Sequence, residues 1–166
     1  MPKKIGLLMG SINDFDKIKP AFDLLKALEI PFEAHVYSAH RTPAQAAKFA
    51  GEARGRGFGA VICAAGMAAH LAGAVAAQTT LPVIGIPVNA GLDGLDALLS
   101  TAQMPPGIPV ATVAVDGAYN AAMLAAQILA VEDDELAAKL AAMREKMARG
   151  VLEKDGELQS MLNAEL

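Results

Sequence analysis

The sequence predicts an α/β fold in which five parallel strands form a sheet that helices cover on both faces. Short runs rich in Val, Ile and Leu alternate with Ala-rich segments of helical length, which is the pattern of crossover units around a parallel sheet. Several of these runs are apolar at every position, as expected for strands that are buried on both faces. With 166 residues, the chain has the size of one domain.

Five segments are predicted to be strands because each is a short apolar run bounded by turn-forming or polar residues. They span residues 4–9, 32–37, 60–63, 83–86 and 111–115. The second run also carries Glu33 and His35, so we expect that strand nearer an edge of the sheet. His35 is interpreted as a structural residue.

Five helices are predicted between and after the strands. They span residues 15–28, 43–56, 68–78, 92–101 and 119–130, and Gly, Pro, Asp, Asn or Thr signals bound each of them. Thr42 before Pro43 is a good start signal, because a threonine hydroxyl can cap free amides and proline is tolerated in the first turn. Pro20 lies about one turn into the first helix, so we expect that helix to begin late or to bend there.

A sixth, amphipathic helix is predicted from Asp133 or Glu135 to about Glu153. Glu135 and Lys139 can form an i,i+4 ion pair. An apolar stripe lies at helical spacing on one face: Leu136, Leu140, Met143 and Met147. Two interpretations are open, namely that the stripe packs on its own domain or on a neighbouring subunit.

Composition argues against several classes of protein. The net charge is −4, with no Trp and no stripe of Lys or Arg, which argues against a nucleic-acid binder. No segment approaches the roughly 20 apolar residues of a membrane span. The apolar stretch at residues 5–9 is too short for a signal peptide, so we expect a cytoplasmic location. The single Cys63 lies in an apolar run and is interpreted as a buried hydrophobic residue.

The segment after the first strand is the first candidate for ligand binding, because ligands of open parallel sheets bind beyond the carboxyl ends of the strands. Gly10, Ser11 and Asp14 lie here, before a helix whose free amides and dipole favour an anion. Ser11 and Asp14 could bind hydroxyl groups or a phosphate, or Asp14 could simply be a helix N-cap. The segment matches neither the dinucleotide fingerprint nor the P-loop.

The segment after the second strand is the most informative part of the sequence. It reads Ser38-Ala39-His40-Arg41-Thr42-Pro43 and lies directly before a helix. Arg41 can bind a phosphate through two hydrogen bonds, with Ser38 as a further donor. An imidazole gains and loses a proton near neutral pH, which suits general acid–base catalysis. We therefore predict that His40 is catalytic rather than a surface residue.

A loop of very small residues follows the third strand and contains Gly66, His70 and Leu71. Small residues let backbone amides approach a ligand closely, and an uncharged group such as carbon dioxide would have to be bound by such amides and by shape. His70 either faces this pocket or is a buried histidine that is hydrogen-bonded to the backbone. Three histidines far apart and one cysteine give a metal site little support.

Together these segments resemble a family of purine-biosynthesis enzymes, the N5-carboxyaminoimidazole ribonucleotide mutases and the catalytic subunits of phosphoribosylaminoimidazole carboxylase. The resemblance covers nearly the whole chain, and the segment at residues 38–43 is its most specific motif. The other motifs lie at residues 9–14, 68–71, 82–87, 103–110 and 120–129.

The resemblance implies a three-layer, doubly wound flavodoxin-like fold, assembled as a homo-octamer without a metal or organic cofactor. It implies one catalytic domain over residues 1–166, with residues 132–166 as a C-terminal helical extension. The family's reaction moves a carboxylate from the exocyclic amine of an aminoimidazole ribonucleotide to carbon 4 of the imidazole. The substrate is therefore expected to be a small phosphorylated molecule, with no nucleic acid and no membrane as partner.

The resemblance also assigns roles to residues of this sequence. Ser11, Asp14 and Arg41 would bind the ribose 5′-phosphate part of the substrate, and His40 would carry the proton. The remaining site residues implied by the resemblance and by their place in the loops are Gly10, Ser38, Ala39, Gly66, His70 and Leu71.

Three residues depart from the family's usual pattern. Asn13, Met67 and Ala72 stand where serine, glycine and proline are common. Ala-Ala-His-Leu at residues 68–71 favours the mutase within the family. Two alternatives stay open, which are carboxylation of aminoimidazole ribonucleotide with free carbon dioxide and nucleotide binding without catalysis.

Overall fold

The computed structural model describes residues 3–164 and contains one sheet of five parallel strands. The strands are β1 (Lys4–Met9), β2 (Phe32–Val36), β3 (Phe58–Gly66), β4 (Val83–Val88) and β5 (Ala111–Thr112). They lie in the order β2-β1-β3-β4-β5, which is the order of doubly wound, flavodoxin-like sheets. The predicted α/β fold is confirmed, and the strand that carries Glu33 and His35 lies at an edge, as predicted.

Six α-helices lie within residues 3–164. They are α1 (Phe15–Ala27), α2 (Pro43–Ala53), α3 (Leu71–Ala76), α4 (Leu95–Ala102), α5 (Ala118–Ala130) and α6 (Asp134–Ala164). The first helix begins at Phe15, as predicted, so of the two alternatives for Pro20 the late start is wrong: a 3-10 turn at Ile12–Asp14 leads directly into α1 ahead of Pro20. The predicted start of the third helix is also wrong. Two tight turns, from Ala69 N–H to Met67 O and from His70 N–H to Ala68 O, delay it to Leu71.

Helices α2, α3 and α4 lie on one face of the sheet. A Cβ atom added to Gly6 of β1 would lie 2.9 Å from the ring of Phe49 in α2. One added to Gly85 of β4 would meet Thr101 of α4 and Ala72 of α3. The connections from β2 to β3, β4 and β5 all run in one direction across the sheet, so right-handed crossovers place α2, α3 and α4 on one face. The connection from β1 to β2 runs in the other direction, which places α1 on the opposite face.

The sheet supplies the centre of the core. Ile5 and Leu7 of β1, Ile62 of β3 and Ile84 of β4 are completely buried, as predicted for strands covered on both faces. Cys63 is also buried, and burial raises the pKa of its thiol. This agrees with its interpretation as a small hydrophobic residue.

The chain divides into two compact units, and the second unit begins at Ala130. Its helix α6 continues to Ala164, well past the predicted end near Glu153. Leu136 and Leu140 of the predicted stripe are buried, and the predicted ion pair joins Lys139 Nζ to Glu135 Oε1 at 3.3 Å. Met147 is 52% exposed, so the stripe becomes solvent-facing along the helix. Among the described residues, no helix combines the length and apolar character needed to cross a membrane.

Candidate active site

A pocket of about 640 Å³ lies where β1, β2 and β3 end. Its wall contains every residue that the sequence analysis proposed for the site: Gly10, Ser11, Asp14, Ser38, Ala39, His40, Arg41, Gly66, His70 and Leu71. Five further residues complete the lining: Asn13, Ala65, Met67, Ala68 and Ala90. Three loops that are distant in sequence therefore converge on one cavity, at the sheet edge where parallel α/β folds bind ligands.

The loop after β1 is ordered by Ser11 and leaves Asp14 without a capping role. Ser11 Oγ accepts a hydrogen bond from Asn13 N–H at 3.2 Å and so caps the 3-10 turn. Asp14 occupies the N-cap position of α1, but its side chain makes no capping hydrogen bond. Asp14 therefore has the predicted N-cap position without the capping hydrogen bond, and the residue lines the pocket.

Burial is the main influence on the pKa of Asp14. Removal from water disfavours a carboxylate, so burial raises this pKa above its ordinary value of 3.8. Lys17 lowers the pKa of Asp14, whereas Asp116 raises it. The ionisation of this pocket residue thus depends on two charged side chains outside the pocket lining.

Ser38 folds the loop after β2 around its own side chain. Ser38 Oγ accepts hydrogen bonds from the backbone N–H groups of His40 and Arg41, at 3.3 and 3.2 Å. Thr42 Oγ1 accepts from Ser38 N–H at 2.8 Å and donates to Ser38 O at 3.2 Å. The prediction that the Thr42 hydroxyl caps α2 is wrong, because these bonds to Ser38 use it. The loop presents His40 and Arg41 from a locally fixed backbone.

Arg41 connects the second loop to the first. One of its guanidinium nitrogens, Nη2, donates a hydrogen bond to Gly10 O at 3.2 Å. A guanidinium has five N–H donors in a planar fork, so this bond fixes the side chain and leaves donors for an anion. Arg41 is exposed on the pocket wall, where a phosphate can reach it.

His40 and His70 are in direct contact across the pocket. His40 Nε2 lies 2.7 Å from His70 Nδ1, and the two rings are steeply inclined at 76°. At this distance one nitrogen donates and the other accepts, so a single proton lies between the rings. Of the two interpretations left open for His70, the pocket-facing one agrees with the structure, since the residue is exposed and lines the cavity.

The end of β3 and the loop that follows it form one wall of the pocket. A Cβ atom on Gly66 would lie 2.8 Å from Ala90 Cβ and 3.0 Å from Val88 O, so only glycine fits without a shift. Met67 has a φ of 55°, in the left-handed region that residues with a side chain rarely adopt. Ala90 was not proposed from the sequence, although it follows β4 at the same sheet edge.

Metal-binding side chains are not clustered in the part of the chain that the structure describes. Within residues 3–164, no three His, Cys, Asp or Glu side chains lie together as a metal ion would need. The polar side chains that line the pocket are two imidazoles, one guanidinium, one carboxylate, two serine hydroxyls and one asparagine amide.

Comparison with known proteins finds relatives that match most of the chain. A family model described as AIR carboxylase matches residues 4–150. The N5-carboxyaminoimidazole ribonucleotide mutase of Bacillus subtilis is 49% identical over 161 residues, which is 95% of this chain and 99% of that protein. The mutase of Saccharolobus solfataricus is 50% identical over 153 residues, 92% of this chain and 96% of that protein.

A solved structure supports the same relationship. The crystal structure of Treponema denticola PurE matches with a TM-score of 0.85 and 28% sequence identity, over 94% of this chain and 98% of that one. Since the family model and the relatives span most of its length, the chain belongs to the AIR carboxylase family.

Proposed function

We propose that this protein is an N5-carboxyaminoimidazole ribonucleotide mutase of purine biosynthesis. It converts N5-carboxyaminoimidazole ribonucleotide to 4-carboxy-5-aminoimidazole ribonucleotide. The observation that carries the proposal is the convergence of His40, Arg41 and the Gly10–Ser11 turn on one pocket. The mutase names of relatives from Bacillus subtilis and Saccharolobus solfataricus support it.

Arg41 and Ser11 are proposed to bind the substrate through its phosphate. Arg41 supplies a bidentate donor, and Ser11, in the loop before α1, lines the same pocket. Asp14 is suited to the neighbouring ribose, because a carboxylate accepts hydrogen bonds from hydroxyl groups. These contacts hold the part of the substrate that does not react and so orient the imidazole.

His40 is proposed to perform both proton transfers. When the carbamate C–N bond breaks, carbon dioxide leaves and the exocyclic nitrogen takes a proton from His40. When carbon dioxide adds to carbon 4, a C–C bond forms and the proton on carbon 4 returns to His40. His40 thus donates one proton and regains one proton in each reaction cycle, so no other acid or base is consumed. The contact with His70 orients the His40 ring and provides a second nitrogen for the proton.

The intermediate carbon dioxide must be retained until it reacts. We assign this task to the loop from Gly66 to Leu71, whose small residues allow close backbone contact. Exclusion of water is part of the mechanism, since carbon dioxide that escapes to solvent ends the transfer. In the single chain His40, Arg41 and Met67 are exposed, so further covering of the pocket is required.

We propose a homo-octamer in the cytoplasm, in which residues 1–166 form one catalytic domain and residues 132–166 are its helical extension. The apolar side of α6 supports assembly, because Met147, Val151 and Met161 are each more than half exposed. Light scattering on the full chain is expected to give eight chains per particle. A monomer would contradict this part of the proposal.

The proposed reaction is tested with two substrates assayed side by side. The carbamate should be converted to the carbon-4 carboxylate without added bicarbonate, since carbon dioxide is generated inside the pocket. Aminoimidazole ribonucleotide with bicarbonate is the comparison. Strict dependence on bicarbonate would instead identify a carboxylase. If neither compound is turned over, the alternative of nucleotide binding without catalysis would be supported.

A further inference from the structure

Lys17 connects helix α1 to two loops at the edge of the sheet that contains the pocket. It lies in the first turn of α1, three residues after Asp14. Its ammonium group donates a hydrogen bond to Asn89 O, in the loop after β4. The same Nζ atom lies 3.5 Å from Asp116 Oδ2, in the loop between β5 and α5. A single cation thus bridges elements that are more than 70 residues apart in sequence.

Asp116 binds the other backbone polar group of Asn89. Its second oxygen, Oδ1, accepts a hydrogen bond from Asn89 N–H at 2.9 Å. Its own N–H donates to Pro87 O at 2.8 Å, and its backbone is left-handed with a φ of 55°. Both backbone polar groups of Asn89 are therefore bound by the Lys17–Asp116 ion pair. Such a strained conformation in a non-glycine residue persists where its surroundings fix it, as these bonds do.

The position of Asn89 matters because of the residue that follows it. Ala90 lines the pocket and lies against Gly66, where a single added methyl would clash at 2.8 Å. A movement of a few tenths of an ångström at Asn89 would therefore reach the wall formed by Gly66. The ion pair lies outside the pocket lining, so it acts on the site through this contact and through its charges.

We propose that Lys17 and Asp116 are positioning residues of the active site, which hold Ala90 against the Gly66 wall and place one charge of each sign near Asp14. This inference rests on the proposed function for its kinetic readout. Their two charges act in opposite directions on the pKa of Asp14, which Lys17 lowers and Asp116 raises. The other charged or titratable side chains on the pocket wall are Arg41, His40 and His70, and neither substitution below alters them.

The test compares K17M and D116N in the full-length protein. K17M removes the positive charge that lowers the pKa of Asp14, so the part of the acid limb of the kcat/KM profile that reports Asp14 should move to higher pH. D116N removes the negative charge but keeps an oxygen that can accept from Asn89 N–H. The same part of its acid limb should move to lower pH, because Asp116 raises the pKa of Asp14.

Three controls separate positioning from general damage. K19M removes an exposed cation of the same helix, whose Nζ lies 2.6 Å from Asp23 Oδ2, and should leave the profile unchanged. K17R keeps the charge and should retain the wild-type acid limb. D116A also removes the acceptor for Asn89 N–H, so its kcat should fall about tenfold or more below that of D116N. Acid limbs of K17M and D116N that coincide, or that move in the same direction, would overturn the inference.

The failure of this inference is distinguishable from that of the proposed function. If the wild-type protein turns over the carbamate and the two limbs do not separate, the inference is wrong and the function stands. If the wild-type protein has no activity, the function is wrong and the inference is decided by ¹³C NMR titration of the Asp14 carboxyl in the resting protein. Opposite displacements in K17M and D116N would support it there, and equal ones would overturn it.

Discussion

Substitution of Gly66 by alanine probes the most closely packed point of the pocket wall. The new methyl would lie 2.8 Å from Ala90 Cβ and 3.0 Å from Val88 O. Ordinary contacts of this kind are about 3.4 Å or longer. The paired ends of β3 and β4 must therefore separate by several tenths of an ångström, which displaces the loop that follows β3, and the Val88 carbonyl is backbone that cannot rotate away.

The expected cost of G66A is about 2 kcal/mol in the free energy of unfolding, within the range for overpacking of a fitted site. For a chain of this length, that corresponds to a fall of about 4–8 °C in Tm. Activity should fall more strongly, by about 10²-fold in kcat, because the displaced loop carries His70 and lines the reaction cavity. The double variant G66A/A90G removes the Cβ–Cβ clash but not the clash with Val88 O, so it should recover part of both losses.

Urea unfolding at one fixed protein concentration and initial rates with the carbamate measure the two effects. G51A is the matched control, since Gly51 lies in α2 with nothing within 4 Å of an added Cβ atom. It should raise stability by about 0.5–1 kcal/mol and leave the rate unchanged. Wild-type stability and kcat in G66A would refute the packing argument for this wall.

Two other sites give independent predictions. Hydrogen bonds from His35, Arg56 and Lys4 lower the pKa of Glu33 to about 2 from 4.5, so its stabilisation is complete above pH 4.5 and is lost as the pH falls towards 2. E33Q should be less stable at pH 7 by about 1 kcal/mol, a figure reduced for solvent screening, and the difference from wild type should shrink between pH 4.5 and 2 in thermal melts. At Met67, which is left-handed and 63% exposed, M67G should be more stable than M67A by about 1 kcal/mol in urea unfolding. Equal stability of those two variants, or a pH-independent effect of E33Q, would contradict the respective argument.

The order and type of the strands and helices could be predicted from the sequence, but several boundaries could not. The strand predicted at residues 60–63 extends over Phe58–Gly66, because Gly59 and the small residues 64–66 carry no strand preference and are placed by pairing with β1 and β4. The strand predicted at residues 111–115 is reduced to Ala111–Thr112, because β4 pairs with only those two residues. Tertiary pairing, which leaves no local signal, decides both cases.

The candidate site was predictable to the extent that it follows from the ends of strands. His40, Arg41 and Ser11 lie in polar loops directly after strands, and a parallel sheet brings such loops together. Lys17 and Asp116 could not be found in this way. Their contacts with Asn89 span 72 and 27 residues, and a lysine within an amphipathic helix has no local feature that marks it.

The contact between His40 and His70 could be predicted only in part. Each histidine was placed in a ligand-facing loop from the sequence, but a pairing over 30 residues depends on the side-chain directions of both loops. Ser38 fixes one of these loops through the N–H groups of His40 and Arg41. Residue type thus predicted the chemistry available, while local hydrogen bonding determined its geometry.

The role of His40 as proton carrier is tested most directly by the variant H40N. Asparagine keeps a polar side chain of similar reach but cannot exchange a proton near neutral pH. We predict that turnover of the carbamate falls by about 10²–10⁴-fold or beyond detection, while calorimetry shows substrate affinity within a few-fold of wild type. Wild-type turnover in H40N would contradict the catalytic assignment of this residue.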